Sequence, residues 1–197
     1  MTARSEQKVL THQTILDSAA RLVRERGIAG TGVAEVMEGA RLTVGGFYAH
    51  FGSKAHLIDD VLRRTGARLR ETLFARLDEK PATDRAVVIL KRYLSPAHRD
   101  LQTQGCPLPA VVGEIATTAP EHRDVLRGEI EALAQGIGAH LPAGPLLPRR
   151  QLALALVALM FGGLALARAL RGSPLSDDVL KACRAVGAAI VRNGGRT

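Results

Sequence analysis

The chain has 197 residues, a formal net charge of +8 and 46% hydrophobic residues. This length suits one ordinary domain or two small ones, and the positive charge points to an anionic partner. Cys106 and Cys183 lie far apart, which excludes a disulfide framework or a cysteine-rich metal site and fits a reducing compartment. The polar opening MTARSEQK predicts no secretory signal, so we expect a cytoplasmic protein.

Helical spacing dominates the first third of the chain. In Lys8–Arg26 apolar residues recur about every 3.6 positions, which predicts an amphipathic helix that Gly27 ends as a C-cap. Two short helices follow, at 33–40 and at Val44–Phe51, and Thr43 is a suitable N-cap for the second. Two short helices joined by a tight turn indicate a helix-turn-helix, whose second helix reads the DNA major groove.

The remaining chain continues with the same helical periodicity and shows little sustained β-branched alternation. Ser53 caps a long helix that ends near Leu77, and prolines separate several of the later helices. We therefore predict an all-α fold of about nine helices, of which the first three form an N-terminal head. The later predicted helices span 53–77, 83–95, 107–118, 120–140, 151–167 and 174–191.

The stretch Gln151–Ala167 contains no charged residue. It is close to the shortest length that spans a membrane, about 17 residues, so a membrane helix is one interpretation. The other is a helix buried in a bundle or a dimer. Gly162, Gly163 and many alanines permit close helix approach, and we favour the buried helix without a membrane partner.

The last helix carries apolar residues at 4-3-4 spacing, which is typical of a coiled-coil seam. Together with the apolar helix before it, this seam predicts a two-fold interface between two copies of the chain. The predicted interface residues are Leu159, Gly162, Gly163, Val179, Cys183, Val186 and Ile190.

The segment Leu42–Lys54 reads LTVGGFYAHFGSK and is followed by Leu57. It strongly resembles the N-terminal domain of the TetR family of bacterial transcriptional regulators, in a gapless match over roughly residues 8–60. The family pattern is small–Gly–Val–Ser–x–Gly–x–Leu–Tyr–x–His–Phe–x–Ser–Lys–x–x–Leu. Beyond that region only the helical layout and the length resemble the family.

This resemblance implies a ligand-responsive repressor that acts as a homodimer on palindromic operator DNA and needs no cofactor. It implies a DNA-binding domain at 1–52 and an effector-binding and dimerisation domain at 53–197, with the helix 53–77 linking them. An unidentified small molecule would bind the second domain and release the operator. No catalytic residue and no metal ligand set is expected, because the chain lacks nucleophile-elbow, phosphate-loop and helical metal-site motifs.

Physical chemistry and the resemblance assign DNA contacts to the same segment. Thr43 can meet a phosphate, Val44 offers methyl groups to a thymine methyl, and the glycines let the backbone approach DNA. The resemblance places Tyr48 and His50 near the sugar-phosphate backbone, and the start of the next helix attracts phosphate. The predicted DNA-binding residues are Arg41, Thr43, Val44, Gly45, Gly46, Tyr48, His50 and Lys54.

The segment departs from the family pattern in two ways. Arg41 stands in the turn where the family usually has glycine, so it either strains the turn or reaches the DNA itself. The reading helix also has no Arg, Asn or Gln, the usual readers of base edges. Specificity must then come from methyl and backbone contacts, from DNA shape, or from Arg41, Arg4 and Lys8.

Cys106 is the most informative residue of the C-terminal part. It lies at a predicted helix start, where amide dipoles favour a reactive thiolate, so an electrophile- or redox-sensing repressor is the alternative function. It could equally line an effector pocket or pack as a small buried hydrophobe. A helical enzyme or membrane-associated protein is the rival from another class. The predicted effector-pocket residues are Tyr93, Cys106, Leu108, Glu114 and Phe161.

Overall fold

A computed structural model of the chain describes residues 3–101, 106–142 and 147–193. The all-α prediction is confirmed, because these residues form nine α-helices, two 3-10 helices and no strand. The α-helices are α1 (Ala3–Arg26), α2 (Val33–Gly39), α3 (Lys54–Phe74), α4 (Arg85–Tyr93), α5 (Pro96–Asp100), α6 (Leu108–Thr117), α7 (Arg123–Ala139), α8 (Arg149–Ala169) and α9 (Pro174–Asn193). The 3-10 helices are Val44–Ala49, called the reading helix below, and Pro120–His122.

The chain divides into two compact units. Unit 1 comprises residues 1–66 and 102–126, and unit 2 comprises residues 67–101 and 127–197. Unit 1 thus groups α1, α2 and the reading helix with α6. The predicted division into 1–52 and 53–197 stays a prediction.

Unit 1 is built on the buried face of α1, where Ile15, Ala19 and Val23 are fully buried. Gly27 ends α1 with a φ of +76°, a conformation that a side chain disfavours, so the predicted C-cap is confirmed. Phe47 is fully buried as well, which anchors the reading helix to this core.

The reading helix is shorter and tighter than the predicted α-helix Val44–Phe51. The Gly46 amide donates to the Thr43 carbonyl at 3.0 Å, an i to i+3 bond that defines a 3-10 turn. Two adjacent glycines have poor helix propensity, so nothing local favours the α-helical alternative. The next helix begins as predicted, since Ser53 Oγ accepts from the His56 amide at 3.1 Å.

Unit 2 contains α8, whose sequence gave two interpretations. By length and composition α8 could cross a membrane, with a mean hydropathy of 2.1, but 44% of its apolar window is buried inside the protein. Such a helix is weak evidence for a membrane, because the core helix of a soluble bundle has the same composition. It packs against α9, and α4 packs against both. The short helix α5 was not predicted, and it is capped by Ser95, which accepts from the His98 amide.

Candidate nucleic-acid interface

The turn between α2 and the reading helix is closed by two backbone hydrogen bonds. The Leu42 amide donates to the Met37 carbonyl, and the Arg41 amide donates to the Glu38 carbonyl, each at 2.9 Å. This pair of bonds is the Schellman arrangement, in which the residue after the helix takes a left-handed conformation. Arg41 occupies that position with a φ of +58°. The conformation expected for a glycine is therefore imposed on an arginine.

We expect Arg41→Gly to raise the free energy of unfolding by about 0.5–1 kcal/mol, because glycine adopts positive φ without a steric penalty. Arg41→Ala keeps the penalty and should give no such gain. The gain is measured by urea unfolding of the two variants. DNA affinity then separates the two interpretations of Arg41: equal losses in both variants indicate a lost guanidinium contact. Unchanged affinity in both would leave strain as the only consequence of the arginine.

The reading helix presents a continuous exposed surface. Thr43 and Gly45 are exposed, Val44 is 49% exposed and Tyr48 is 72% exposed. Thr43 caps the helix by its backbone, with a φ of −79° and a ψ of 148°, and its side chain makes no capping hydrogen bond. Its hydroxyl is thus available to an incoming partner. Gly46 is partly exposed next to this surface.

Lys54 opens α3 and is half-buried. The first turn of an α-helix has unpaired amides and a positive dipole end, both of which favour phosphate. A cationic side chain at that point adds to the same attraction. Lys54 follows the reading helix by five residues, so unit 1 carries the charge and the exposed groups of the predicted DNA surface on one short segment.

Three aromatic rings pack beside the reading helix. The His12 ring of α1 stacks on Phe51 with centroids 4.4 Å apart, and the His50 ring lies 6.0 Å from His12. Nδ1 of His50 is buried without a hydrogen-bond partner among the described residues. Burial, and then the neighbouring His50, lower the pKa of His12, so His12 is neutral at pH 7. The side chain of Arg4, a further predicted cation, lies outside the described residues.

The turn after α1 is held by a carboxylate from α6. Oε1 of Glu114 accepts from the Ile28 amide at 2.9 Å, and Oε2 accepts from the Ala29 amide at 2.8 Å. A Cβ on Gly27 would lie 2.1 Å from Oε1, so the carboxylate fits only because residue 27 is glycine. A cavity of about 250 Å³ adjoins this contact, and Lys54 is among its lining residues. The sequence offers no signal for this pairing.

A second polar contact in unit 1 joins α3 to the 3-10 helix Pro120–His122. The imidazole of His122 is almost fully buried, and its Nδ1 lies 2.8 Å from Oδ1 of Asp59. Burying a polar ring is costly unless it is hydrogen-bonded, and Asp59 satisfies that requirement. No local pattern in the sequence marks His122 and Asp59 as partners.

Comparison with known proteins agrees with this geometry. The model of the bacterial regulatory proteins of the tetR family matches residues 15–61, the segment that holds α2 and the reading helix. The HTH-type transcriptional repressor DhaR of Mycobacterium sp. (strain GP1) is 27% identical over 118 residues, 60% of this chain and 57% of the relative. The HTH-type transcriptional repressor KstR2 of Rhodococcus jostii (strain RHA1) is 30% identical over 88 residues, 43% of each chain. The chain thus spans about half the length of the curated relatives that it matches.

A solved structure extends the likeness beyond the N-terminal segment. A TetR transcriptional regulator from Chloroflexus aurantiacus J-10-FL superposes with a TM-score of 0.79, at 26% identity, over 93% of this chain and 95% of that one. Residues 15–61 thus carry the N-terminal segment of the tetR family of bacterial regulatory proteins. The resemblance of Leu42–Lys54 to that family is therefore confirmed.

The residues predicted to line an effector pocket lie in both units. Tyr93 and Phe161 belong to unit 2, where their rings stack with centroids 5.9 Å apart. Cys106 and Leu108 are buried in unit 1, at 2% and 1% exposure. Glu114 is the member of the set whose acceptor atoms the structure shows engaged, on the turn after α1. The effector pocket itself stays a prediction.

Some of the predicted dimer residues are buried inside the protomer and others are exposed. Gly163 and Cys183 face each other inside the protomer, since a Cβ on Gly163 would lie 2.8 Å from Cys183 Sγ. Burial raises the pKa of the Cys183 thiol. Gly162 is exposed and a Cβ there would meet nothing within 4 Å, and Val186 is 51% exposed. Leu159, Val179 and Ile190 are half-buried.

Proposed function

We propose that the chain is a transcriptional repressor that binds a palindromic operator as a homodimer and releases it when a small effector binds. The observation that carries the proposal is the exposed reading helix, with Val44 and Tyr48 on its surface and Lys54 at the start of the next helix. A buried Phe47 fixes this helix without using its exposed face. DhaR and KstR2 are HTH-type transcriptional repressors, which supports the same role here.

The exposed faces of α8 and α9 support the homodimer. On α8, Ala155, Ala158 and Gly162 are exposed at 3- and 4-residue spacing, and Leu166 is 56% exposed one turn later. On α9, Ala182, Ala185, Val186 and Ala189 are exposed at similar spacing. Small residues on two neighbouring helices allow a second pair of helices to approach closely. A two-fold dimer would pair the reading helices with half-sites about 34–36 Å apart.

Effector binding is part of the proposal, and the effector site is not assigned to particular residues. The described residues of unit 2 line a cavity of about 490 Å³ that includes Glu131, Arg149 and Leu154. None of the predicted pocket residues lines it. The thiol-sensing alternative gains no support, because Cys106 is 2% exposed and an oxidant must reach the sulfur.

The proposal is tested by binding to duplex DNA enriched from a random library by the purified protein. Lys54→Ala should weaken binding to every enriched sequence by a similar factor and reduce the salt slope by about one per protomer. Tyr48→Ala should also weaken all sequences, with a smaller change of slope, since tyrosine carries no charge. Affinities are measured by fluorescence anisotropy from 50 to 300 mM KCl.

Lys91→Ala is the matched control, because it removes one exposed positive charge from α4 in unit 2. It should leave both affinity and salt slope close to wild type. A library that yields no enriched sequence would reject the repressor. Wild-type affinity in Lys54→Ala and Tyr48→Ala would reject this DNA surface.

A further inference from the structure

The two glycines of the reading helix are not required by the protein's own packing. Neither Gly45 nor Gly46 has a positive φ. A Cβ on Gly45 would meet nothing within 4 Å, and a Cβ on Gly46 would meet only Met37 Cε at 3.8 Å, an ordinary contact. Alanine would therefore fit at both positions and would favour a helix more strongly. The space that these glycines leave is useful only to something that approaches from outside.

Two exposed apolar side chains, Leu42 and Val44, lie on either side of Thr43 just before that space. Val44 is 49% exposed and Leu42 is 36% exposed, and the open backbone of Gly45 follows directly. Within the reading helix no side chain has the paired donor and acceptor groups that recognise a purine edge in the major groove. A methyl-bearing side chain beside bare backbone matches one feature of a base pair, the C5-methyl group of thymine.

We propose that this reading surface selects its operator through C5-methyl groups rather than through hydrogen bonds to purine edges. Val44 is the specificity-determining residue. Gly45 lets the backbone come close enough to the DNA for the methyl groups of Val44 to contact the base. Each half-site then contains a thymine opposite Val44. Since 5-methylcytosine carries the same methyl group, it can replace that thymine. This inference rests on the proposed operator binding.

The test replaces each thymine of the enriched duplex, one at a time, by deoxyuridine, which lacks only the methyl group. We expect one thymine per half-site at which the loss weakens binding about fourfold, and about 16-fold when both half-sites are changed. In Val44→Ala the same replacement should have no effect, so the penalty and the side chain form a double-mutant cycle. Cytosine at that position should weaken binding, and 5-methylcytosine should restore it about fourfold.

Arg41→Ala is the control for a competing reader, because Arg41 is exposed immediately before this surface. The deoxyuridine penalty should persist in Arg41→Ala. Gly45→Ala tests close approach separately: we expect Tm to rise by about 2 °C while affinity falls at least tenfold. A rise in Tm without a loss of affinity would overturn the approach argument.

Two results would overturn methyl reading while leaving operator binding intact. One is an enriched duplex in which no deoxyuridine replacement changes affinity. The other is a deoxyuridine penalty of equal size in wild type and Val44→Ala, which would assign the methyl contact to another residue. If the library yields no enriched duplex at all, the proposed function fails instead, so the two failures are distinguishable.

Discussion

Glu114→Ala is expected to lower the free energy of unfolding by about 2 kcal/mol and to release the turn after α1. The carboxylate of Glu114 is the acceptor for two consecutive amides, those of Ile28 and Ala29. Hydrogen bonds to a charged group contribute about 1.5–3 kcal/mol each when buried. The hydrogen bond at the Ala29 amide is exposed, and water replaces part of its contribution when the carboxylate is removed. The expected loss is therefore smaller than the sum for two buried bonds. Glu114→Gln keeps one acceptor oxygen and should lower the free energy of unfolding by about half as much.

Hydrogen exchange at individual amides gives the most direct measurement. In Glu114→Ala the amides of Ile28 and Ala29 should exchange much faster, while amides in the middle of α1 keep their protection. Glu121→Ala is the matched control, since that carboxylate is largely exposed and lies 3.8 Å from His122 Nε2. Unchanged exchange at Ile28 and Ala29 in Glu114→Ala would show that the contact does not hold the turn in solution.

Gly27→Ala examines the same contact from the other side. The new Cβ would lie 2.1 Å from Oε1 of Glu114 and would also have to adopt a φ of +76°. The backbone penalty is about 1 kcal/mol, and displacement of the carboxylate adds about as much as its hydrogen bonds contribute. In a Glu114→Ala background only the backbone penalty should remain. The cost of Gly27→Ala in the wild-type protein minus its cost in the Glu114→Ala background gives the coupling free energy between Gly27 and Glu114.

The elements that were predictable have local causes. Apolar residues at helical spacing predicted α1, and Gly27 predicted its end. Both signals are local, because each lies in the segment whose structure it determines. Ser53 announced the start of α3 for the same reason. The burial of Phe47 in the reading helix also follows from its place in a short amphipathic segment.

The features that were missed depend on residues distant in sequence or on small energy differences. Glu114 lies 86 residues after Ile28, and no local pattern marks it as the partner of two amides. From the sequence alone, this helical glutamate is assigned to the effector pocket. The 3-10 form of Val44–Ala49 depends on the balance between i+3 and i+4 bonds in a glycine-containing turn, a difference too small to read from composition.

Gly162 and Gly163 are two adjacent residues whose different environments could not be predicted from the sequence. The two residues are adjacent and identical in sequence, and both were assigned to the dimer interface. In the structure Gly163 is buried against Cys183 and Leu94, whereas Gly162 faces outward from α8. The helical phase of α8 decides which glycine serves the protomer and which is open to a partner, and one residue changes that phase by about 100°.

If the chain forms the proposed homodimer, Gly162→Arg is expected to convert it into a folded monomer and to weaken binding to the proposed operator at least 100-fold. A Cβ at this position meets nothing within 4 Å, so the protomer accommodates the side chain. At a two-fold interface the substitution would bury two unpaired guanidinium groups, a cost of at least about 3 kcal/mol, which exceeds the factor of 100 in dimer affinity. Sedimentation velocity at micromolar concentration measures the mass, and circular dichroism verifies the helix content.

Gly128→Arg is the matched control, because Gly128 is an exposed glycine of α7 whose Cβ also meets nothing within 4 Å. It should remain a dimer and bind the operator normally. Gly163→Ala should destabilise the protomer itself, whereas Gly162→Arg should disrupt the contact between protomers. The Cβ introduced by Gly163→Ala would lie 2.8 Å from Cys183 Sγ and 3.0 Å from Leu94 Cδ2. Overpacking costs about 1–3 kcal/mol and helix propensity returns at most about 1, so the protomer loses stability. A dimeric Gly162→Arg protein would place the interface elsewhere, because two arginines cannot share a closed helical contact.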